Sequence, residues 1–330
     1  YCISMGHCIY YSVVFGINVR SLHHSSETRR CRKKKAYKKS IWITIREKRV
    51  YLFFSVNTGA LEMDGNTIRL LIFISLFALM LILEMFIPRH PTVDSKPRRL
   101  GIHLGLSGLN TLLLKLVFGA AAVGTANTFE IKGWGLLNIL DWNNVVEFIL
   151  VIVILDLSIY FQHVIVHKIP LFWRFHVVHH SDLDLDASSG LRFHPVEILA
   201  SMLYKIGIIF LLGPAPIAVL AFEAVLNGMA IFSHSNIALP VKLDYFFRKL
   251  IVTPDMHRIH HSVEVSETNS NYGFNLSIWD RIFSTYKEEA LKAQPEIVIG
   301  IDTFRSPNEL TFYNLLIMPK KYGKLTTYVT

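Results

Sequence analysis

Beyond position 62 the chain has no cysteine: its three, Cys2, Cys8 and Cys31, all lie near the start. That absence excludes a cysteine-ligated iron–sulfur centre, a thiolate zinc site and a disulfide framework from the rest of the chain. Charge is also scarce, at 18% of residues against 52% hydrophobic, and the mean hydropathy of +0.37 lies far from that of a soluble domain. No dinucleotide-binding glycine fingerprint is present. The glycine-bearing stretches 100–110 and 119–124 sit inside an apolar run, so electrons for any redox chemistry must come from a separate protein.

Acidic residues are nearly missing from positions 1–60, where Glu27 and Glu47 face twelve Lys/Arg, while the remaining 270 residues hold 22 basic and 23 acidic groups. The pI of 9.4 therefore belongs to one tail, and the body gives no reason to invoke nucleic acid. The tail begins at Tyr1, carries RRCRKKKAYKK at 29–39, and changes character at Met63-Asp64. Three readings compete: a basic arm on anionic lipid or nucleic acid, a targeting segment, or upstream sequence that is not native. Topology favours the last.

The apolar residues are concentrated at 67–87, 101–123, 145–166, 196–213 and 215–233, each about long enough to cross a bilayer as a helix. Several carry one ionisable residue (Arg69, Glu84, Lys115, Asp156, Lys205, Glu223), the kind that faces an interface or a bundle interior. The loop after the first run holds Arg89, Lys96, Arg98 and Arg99 and is expected inside. Twelve basic residues before the first span would then lie outside, a conflict that a start at Met63 removes. A further partial span at 41–56 would also remove it, but Arg46, Lys48 and Arg49 interrupt that segment. The segment 124–144 is expected outside. Every histidine set then falls on the cytoplasmic side.

Ten of the fifteen histidines lie between His163 and His261, eight of them in three sets: His163/His167, His176/His179/His180 and His257/His260/His261. Neutral imidazole is a ligand for iron, copper, nickel and zinc, and this number exceeds what one tetrahedral ion takes. His163 and His167 share a helix face, with Asp156 and Tyr160 on the same face as candidate partners for an imidazole N–H. In FWRFHVVHHSD (172–182) and MHRIHHS (256–262) all three histidines can converge if the segment is helical. His194, in LRFHPVE, and His234, in FSHSN, sit at the same membrane boundary and are expected as further ligands; the bland alternative for each is a capping or interfacial histidine. Asp182, beside His180, is a third candidate partner, whereas Asp184 and Asp186 read as solvated loop charges. Asn271-Tyr272-Gly273 reads as a turn, Trp279-Asp280 as packing with a local cap, and Glu223 as a bundle hydrogen bond. Phe172, Trp173, Phe175 and Phe193 fit an apolar pocket for a lipid chain, or equally an interfacial aromatic belt.

In the segments DLSIYFQHVIVH (156–167), WRFHVVHHSD (173–182), LRFHPVE (191–197), FSHSNIALP (232–240) and 252–286, the chain resembles the sterol desaturase / fatty acid hydroxylase superfamily, particularly its bacterial members. One departure is Val164, where the family's H-x₃-H often has a basic residue. The resemblance implies an all-α integral membrane protein of four or five spanning helices with a cytosolic cap. Within it, 63–144 would be N-terminal membrane helices, 145–290 the catalytic domain, 291–330 a C-terminal tail and 1–62 an extension. It implies two irons held by His163, His167, His176, His179, His180, His257, His260 and His261, joined by His194 and His234. It further implies O₂-dependent hydroxylation or desaturation of a lipid in a bacterial inner membrane, with an external donor such as a reductase with ferredoxin or cytochrome. Two other classes stay open on the residues alone: a zinc-dependent hydrolase, which needs three ligands and an open position, and a metal-handling or transport protein, which would place ionisable groups at mid-depth in several spans.

Overall fold

Apolar runs removed from water can satisfy their backbone groups internally only as helices or closed barrels, and helices form at all five runs. The computed structural model describes residues 44–46, 49–51, 65–119, 121–140 and 143–322. The helices are α1 (Gly65–Phe86), α2 (Lys96–Phe118), α3 (Ala121–Lys132), α4 (Leu136–Ile139), α5 (Asn144–Lys168), α6 (Pro170–His180), α7 (Pro195–Leu212), α8 (Pro216–His234), α9 (Val241–Phe247), α10 (Pro254–His260), α11 (Val265–Thr268), α12 (Ile278–Ile282) and α13 (Phe312–Tyr322). Among the described residues five stretches are long and apolar enough to cross a membrane: Arg69–Phe86, Lys96–Ile139, Asn144–Lys168, Pro195–Leu212 and Pro216–His234. The chain is thus a helical integral membrane protein. Proline opens α6, α7, α8 and α10, where its fixed φ suits a helix start and its missing N–H costs nothing.

The chain divides into two units, Tyr1–Thr58 and Gly59–Thr330. In the first, β1 (Thr44–Arg46) and β2 (Arg49–Tyr51) pair antiparallel, Thr44 opposite Tyr51. The described residues of 41–56 are therefore two short paired strands and not a helical span; the β-branched Thr44, Ile45 and Val50 favour strands. The basic run at 29–39 lies outside the described residues.

In the second unit the segment 124–144, expected outside, holds most of α3 and all of α4. Ala122 and Ala126, one helical turn apart, pack with Met202, Ile209 and Val219 of α7 and α8, the close approach that small residues permit between membrane helices. The stretch after 290 packs back onto the bundle through residue 322: Leu315 and Met318 of α13 join Trp173 and Val177 of α6, and the Trp173 indole donates to Tyr322 at 3.0 Å.

One end of the bundle is tied by charge. Arg99 of α2 donates to Asp182 at 3.0 and 2.7 Å and to Asp186 at 2.5 Å. Asp184 accepts from the backbone of Val93 and Asp94 at 2.7 and 2.9 Å. Asp184 and Asp186 are buried, which corrects the expectation of solvated loop charges: a guanidinium with five donors in a fixed fork gathers the loop beneath it. The Arg99 guanidinium and that of Arg192 hold the Asp182 carboxyl well below the usual carboxylate range against the effect of burial. The other basic residues of the 89–99 loop are paired as well, Arg89 with Asp255 and Lys96 with Glu84 at 2.7 and 2.6 Å, and Arg98 with Asp94. Gly190 lets the connection 187–191 press on α8, since a Cβ there would lie 2.8 Å from the Ala230 carbonyl. Replacing Arg99 by Met is expected to cost about 3–5 kcal/mol by leaving buried carboxylates unpaired, read as a large drop in thermal unfolding temperature in detergent; an unshifted transition would show that the cluster is not structural.

Candidate metal centre

Helical periodicity sorts the histidines. Residues four apart share a face and the one between them points elsewhere, so each H-x₂-H-H set divides in two. Potential ligand nitrogens of His163, His167, His176, His180 and His260 all lie within 4.8 Å of one another, and so do those of His179, His234, His257 and His261. From α6, His176 and His180 enter the first group and His179 the second. From α10 the order is reversed: His260 enters the first group, and His257 with His261 the second. The two sets of three thus do not each converge on one point; each is shared between two.

In the first group the rings are held from behind. His163 Nδ1 bonds the Tyr272 carbonyl at 2.8 Å, His260 Nδ1 the Ser270 carbonyl at 2.7 Å, and His176 Nδ1 the Glu197 carboxylate at 2.6 Å. Such a bond to an acceptor places the proton on Nδ1 and leaves Nε2 as a lone pair. Nε2 of His176 and His260, and both ring nitrogens of His167 and His180, are buried without a partner. In the second group the His234 Nδ1 bonds the Ala230 carbonyl at 2.7 Å, and the Nε2 atoms of His179, His234, His257 and His261 follow one another at 3.0, 3.0 and 3.1 Å. Buried polar atoms are rarely left unpaired. Nine imidazoles whose free nitrogens point at each other fit two metal ions, one per group.

Burial, followed by the neighbouring rings, holds His179, His180, His257 and His261 well below the ordinary histidine value, and burial brings His260 down to about 3. Neutral rings are the form that binds metal.

His194, expected among the ligands, stands apart from both groups. Its Nδ1 accepts from the Val196 N–H at 3.1 Å as the cap of α7, and its Nε2 bonds the Leu316 carbonyl at 3.1 Å; with both nitrogens occupied it is the capping histidine. The expected imidazole partners also do other work. Asp156 accepts from Trp279 at 2.8 Å and Leu276 at 3.2 Å, Tyr160 bonds Thr285 at 2.9 Å, and Asp182 belongs to the Arg99 cluster. The carbonyls that hold the rings carry no residue identity to read. Only Glu197, an acid opening an apolar helix inside LRFHPVE, left a sign in the sequence. The turn at Asn271–Gly273 delivers the Tyr272 carbonyl, with Asp280 accepting from the Tyr272 and Gly273 N–H groups at 2.7 Å each and Asn271 at φ 52°.

Both groups face a cavity of about 660 Å³ among α1, α2, α5, α7 and α8, on which His163, His176, His179, His234 and His257 open. Phe193 stacks on His179 with centroids 4.4 Å apart and is part of the cavity wall.

Residues 148–285, a span that includes all ten of these histidines, match the fatty acid hydroxylase family. The chain is 33% identical over 165 residues to ornithine lipid hydroxylase OlsE of Rhizobium tropici, covering 48% of this chain and 47% of that one. It is 29% identical over 161 residues to human alkylglycerol monooxygenase, covering 48% and 35%, and 26% identical over 231 residues to that of Xenopus tropicalis, covering 69% and 50%. The chain spans half or less of the length of these relatives. No solved structure matches. The resemblance to the sterol desaturase / fatty acid hydroxylase superfamily read from the motifs is borne out.

For a histidine whose folded value lies below its unfolded one, the unfolded chain binds more protons at acid pH, so stability falls as pH falls. The metal-stripped protein is therefore expected to lose stability progressively below about pH 6.5, followed by thermal unfolding in detergent. A transition temperature constant between about pH 7 and pH 5 would show that the rings are solvated.

Proposed function

We propose, from the match of residues 148–285 to the fatty acid hydroxylase family, that this membrane protein is an O₂-dependent oxygenase with two irons that hydroxylates an unactivated C–H position of a lipid. The observation that carries the reading is the pairing of two all-imidazole groups with a cavity set among apolar membrane-spanning helices. The relatives' names, a lipid hydroxylase and alkylglycerol monooxygenases, favour hydroxylation over desaturation.

His163, His167, His176, His180 and His260 would hold one ion, and His179, His234, His257 and His261 the other. Two bound irons would supply the activation of O₂ that no acid, base or nucleophilic side chain can replace, with electrons from an external reductase, ferredoxin or cytochrome. The protein's part is positioning. Glu197 and the Ser270 and Tyr272 carbonyls fix three rings and keep their protons on Nδ1. The cavity walls align a lipid methylene beneath both groups and keep water from it. The charged loop at 89–99 and the shared end of the helices support a cytoplasmic position for the histidines.

Metal analysis of detergent-purified protein is expected to give about two irons per chain; zinc in their place after iron-replete expression, with turnover that needs no O₂, would replace the reading by a hydrolase. His179→Ala and His180→Ala, adjacent in sequence but assigned to different groups, are each expected to lower iron to about one per chain and abolish lipid oxidation, since one of two ion sites fails. Full iron and activity in either variant would remove that histidine from the centre.

Deleting residues 1–62 is expected to leave membrane insertion and iron content unchanged, as judged by alkaline extraction and metal analysis. Loss of either would make the extension part of the native fold.

A further inference from the structure

The cavity beneath the histidines does not end in hydrocarbon. At its far end Arg69 of α1 and Lys205 of α7 grip the Glu223 carboxylate of α8, one on each oxygen, at 2.7 and 3.1 Å. Lys115 of α2 also lines the cavity and has no ion pair among the described residues. Glu197, the other carboxylate on the wall, is turned to His176 at the opposite end. The floor therefore carries three cations and one carboxylate, and that carboxylate has both oxygens in use. Two cations on one carboxylate leave a net positive charge between α1, α7 and α8, with Lys115 exposed at its edge; an uncompensated charge among membrane helices is costly and points to a site for a substrate or ion.

Position along the helices gives the span. On α7, Glu197, Ser201 and Lys205 recur every four residues on the cavity wall, and at 1.5 Å per residue the first and last are about 12 Å apart. On α8 the distance from His234 down to Glu223 is about 16 Å by the same rise. Between the two ends the wall is largely hydrocarbon, with Leu76, Ile159, Met202 and Leu226, interrupted by the uncharged polar side chains of Asn110, Gln162, Ser201 and Asn227.

Resting on the oxygenase reading, we propose that the cavity selects an anionic lipid whose carboxylate or phosphate seats against Arg69, Lys205 and Lys115 while its hydrocarbon runs to the histidines. The anionic group neutralises the cation excess at the floor, and the apolar side chains of the wall, Leu76, Ile159, Met202 and Leu226, take the chain. The carbon oxidised is then set by its distance from the anionic group, so the triad is a ruler as well as an anchor. Glu223 moderates the site: it holds the two flanking cations apart and in place when no lipid is bound.

The test is equilibrium retention of radiolabelled palmitate by the full-length purified protein, with unlabelled palmitate, lysophosphatidate and hexadecanol as competitors. Palmitate and lysophosphatidate are expected to displace the label, and the uncharged alcohol to compete at least about tenfold more weakly, the order expected of one buried charge contact. The better of the two anions identifies carboxylate or phosphate as the group read. Lys205→Met is expected to weaken palmitate retention by about tenfold. Lys115→Met, at an exposed position that holds no ion pair among the described residues, is expected to weaken it by a smaller factor, and it keeps the test valid if the buried variant fails to fold. Iron content should be unchanged in both. Equal competition by hexadecanol and palmitate, or full palmitate retention in both variants, would overturn the proposal. Because the measurement is binding, it stands or falls without turnover: a protein that binds anionic lipid but holds no iron would sink the oxygenase and leave the anion site.

Discussion

Nine imidazole rings can share one small volume only if none of them is charged. Within the two groups, neighbouring ring centroids lie 4.3 to 5.3 Å apart, distances at which like charges in a low-dielectric interior repel strongly. Neutrality in turn demands that each proton have an owner, and the bonds from Nδ1 to the Tyr272, Ser270 and Ala230 carbonyls and to Glu197 decide it for four rings. Much of the cap exists to deliver those acceptors. The turn at Asn271–Gly273 is pinned by Asp280, α12 is tied to α5 through Asp156 and Trp279, and the start of α7 brings Glu197 beneath α6.

The second constraint is electrostatic and sits one layer out. Arg99 binds the loop that follows His180, so α2 and α6 are joined by a buried ionic cluster and not by apolar contact alone. A buried ion pair contributes little net stability next to a well-packed apolar substitute, but it tolerates only one arrangement of its members. The loop 182–186 is held at one height relative to α2, and through it the last turn of α6, with His179 and His180, is fixed.

The membrane helices and the histidine sets were legible because each rests on a strong local signal, length of apolar run in one case and repeated spacing in the other. What escaped has physical reasons. Backbone carbonyls that anchor imidazoles have no letter in the sequence. Asp184 and Asp186 sit in a run of alternating polar residues that reads as solvated until α2, more than eighty residues away, brings Arg99 over them. His194 carries the same chemistry as the nine grouped histidines and the same position at a helix end, and only the geometry of the α7 cap separates it from them. The helix at 121–132 ends in polar and charged residues, Asn127, Thr128, Glu130 and Lys132, that set it apart from the apolar run before it, while Ala122 and Ala126 allow the close packing that buries them.

The division of each H-x₂-H-H set between two groups means that the two groups share a reading frame. In α6 the order along the chain is first, second, first; in α10 it is second, first, second. One residue inserted between His176 and His179 would turn the following part of α6 by about 100°, moving His179 and His180 away from their partners together. No single group can then be adjusted, lost or rebuilt by change of length without disturbing its neighbour. The two groups are inherited as one unit, open to point substitution but closed to insertion and deletion.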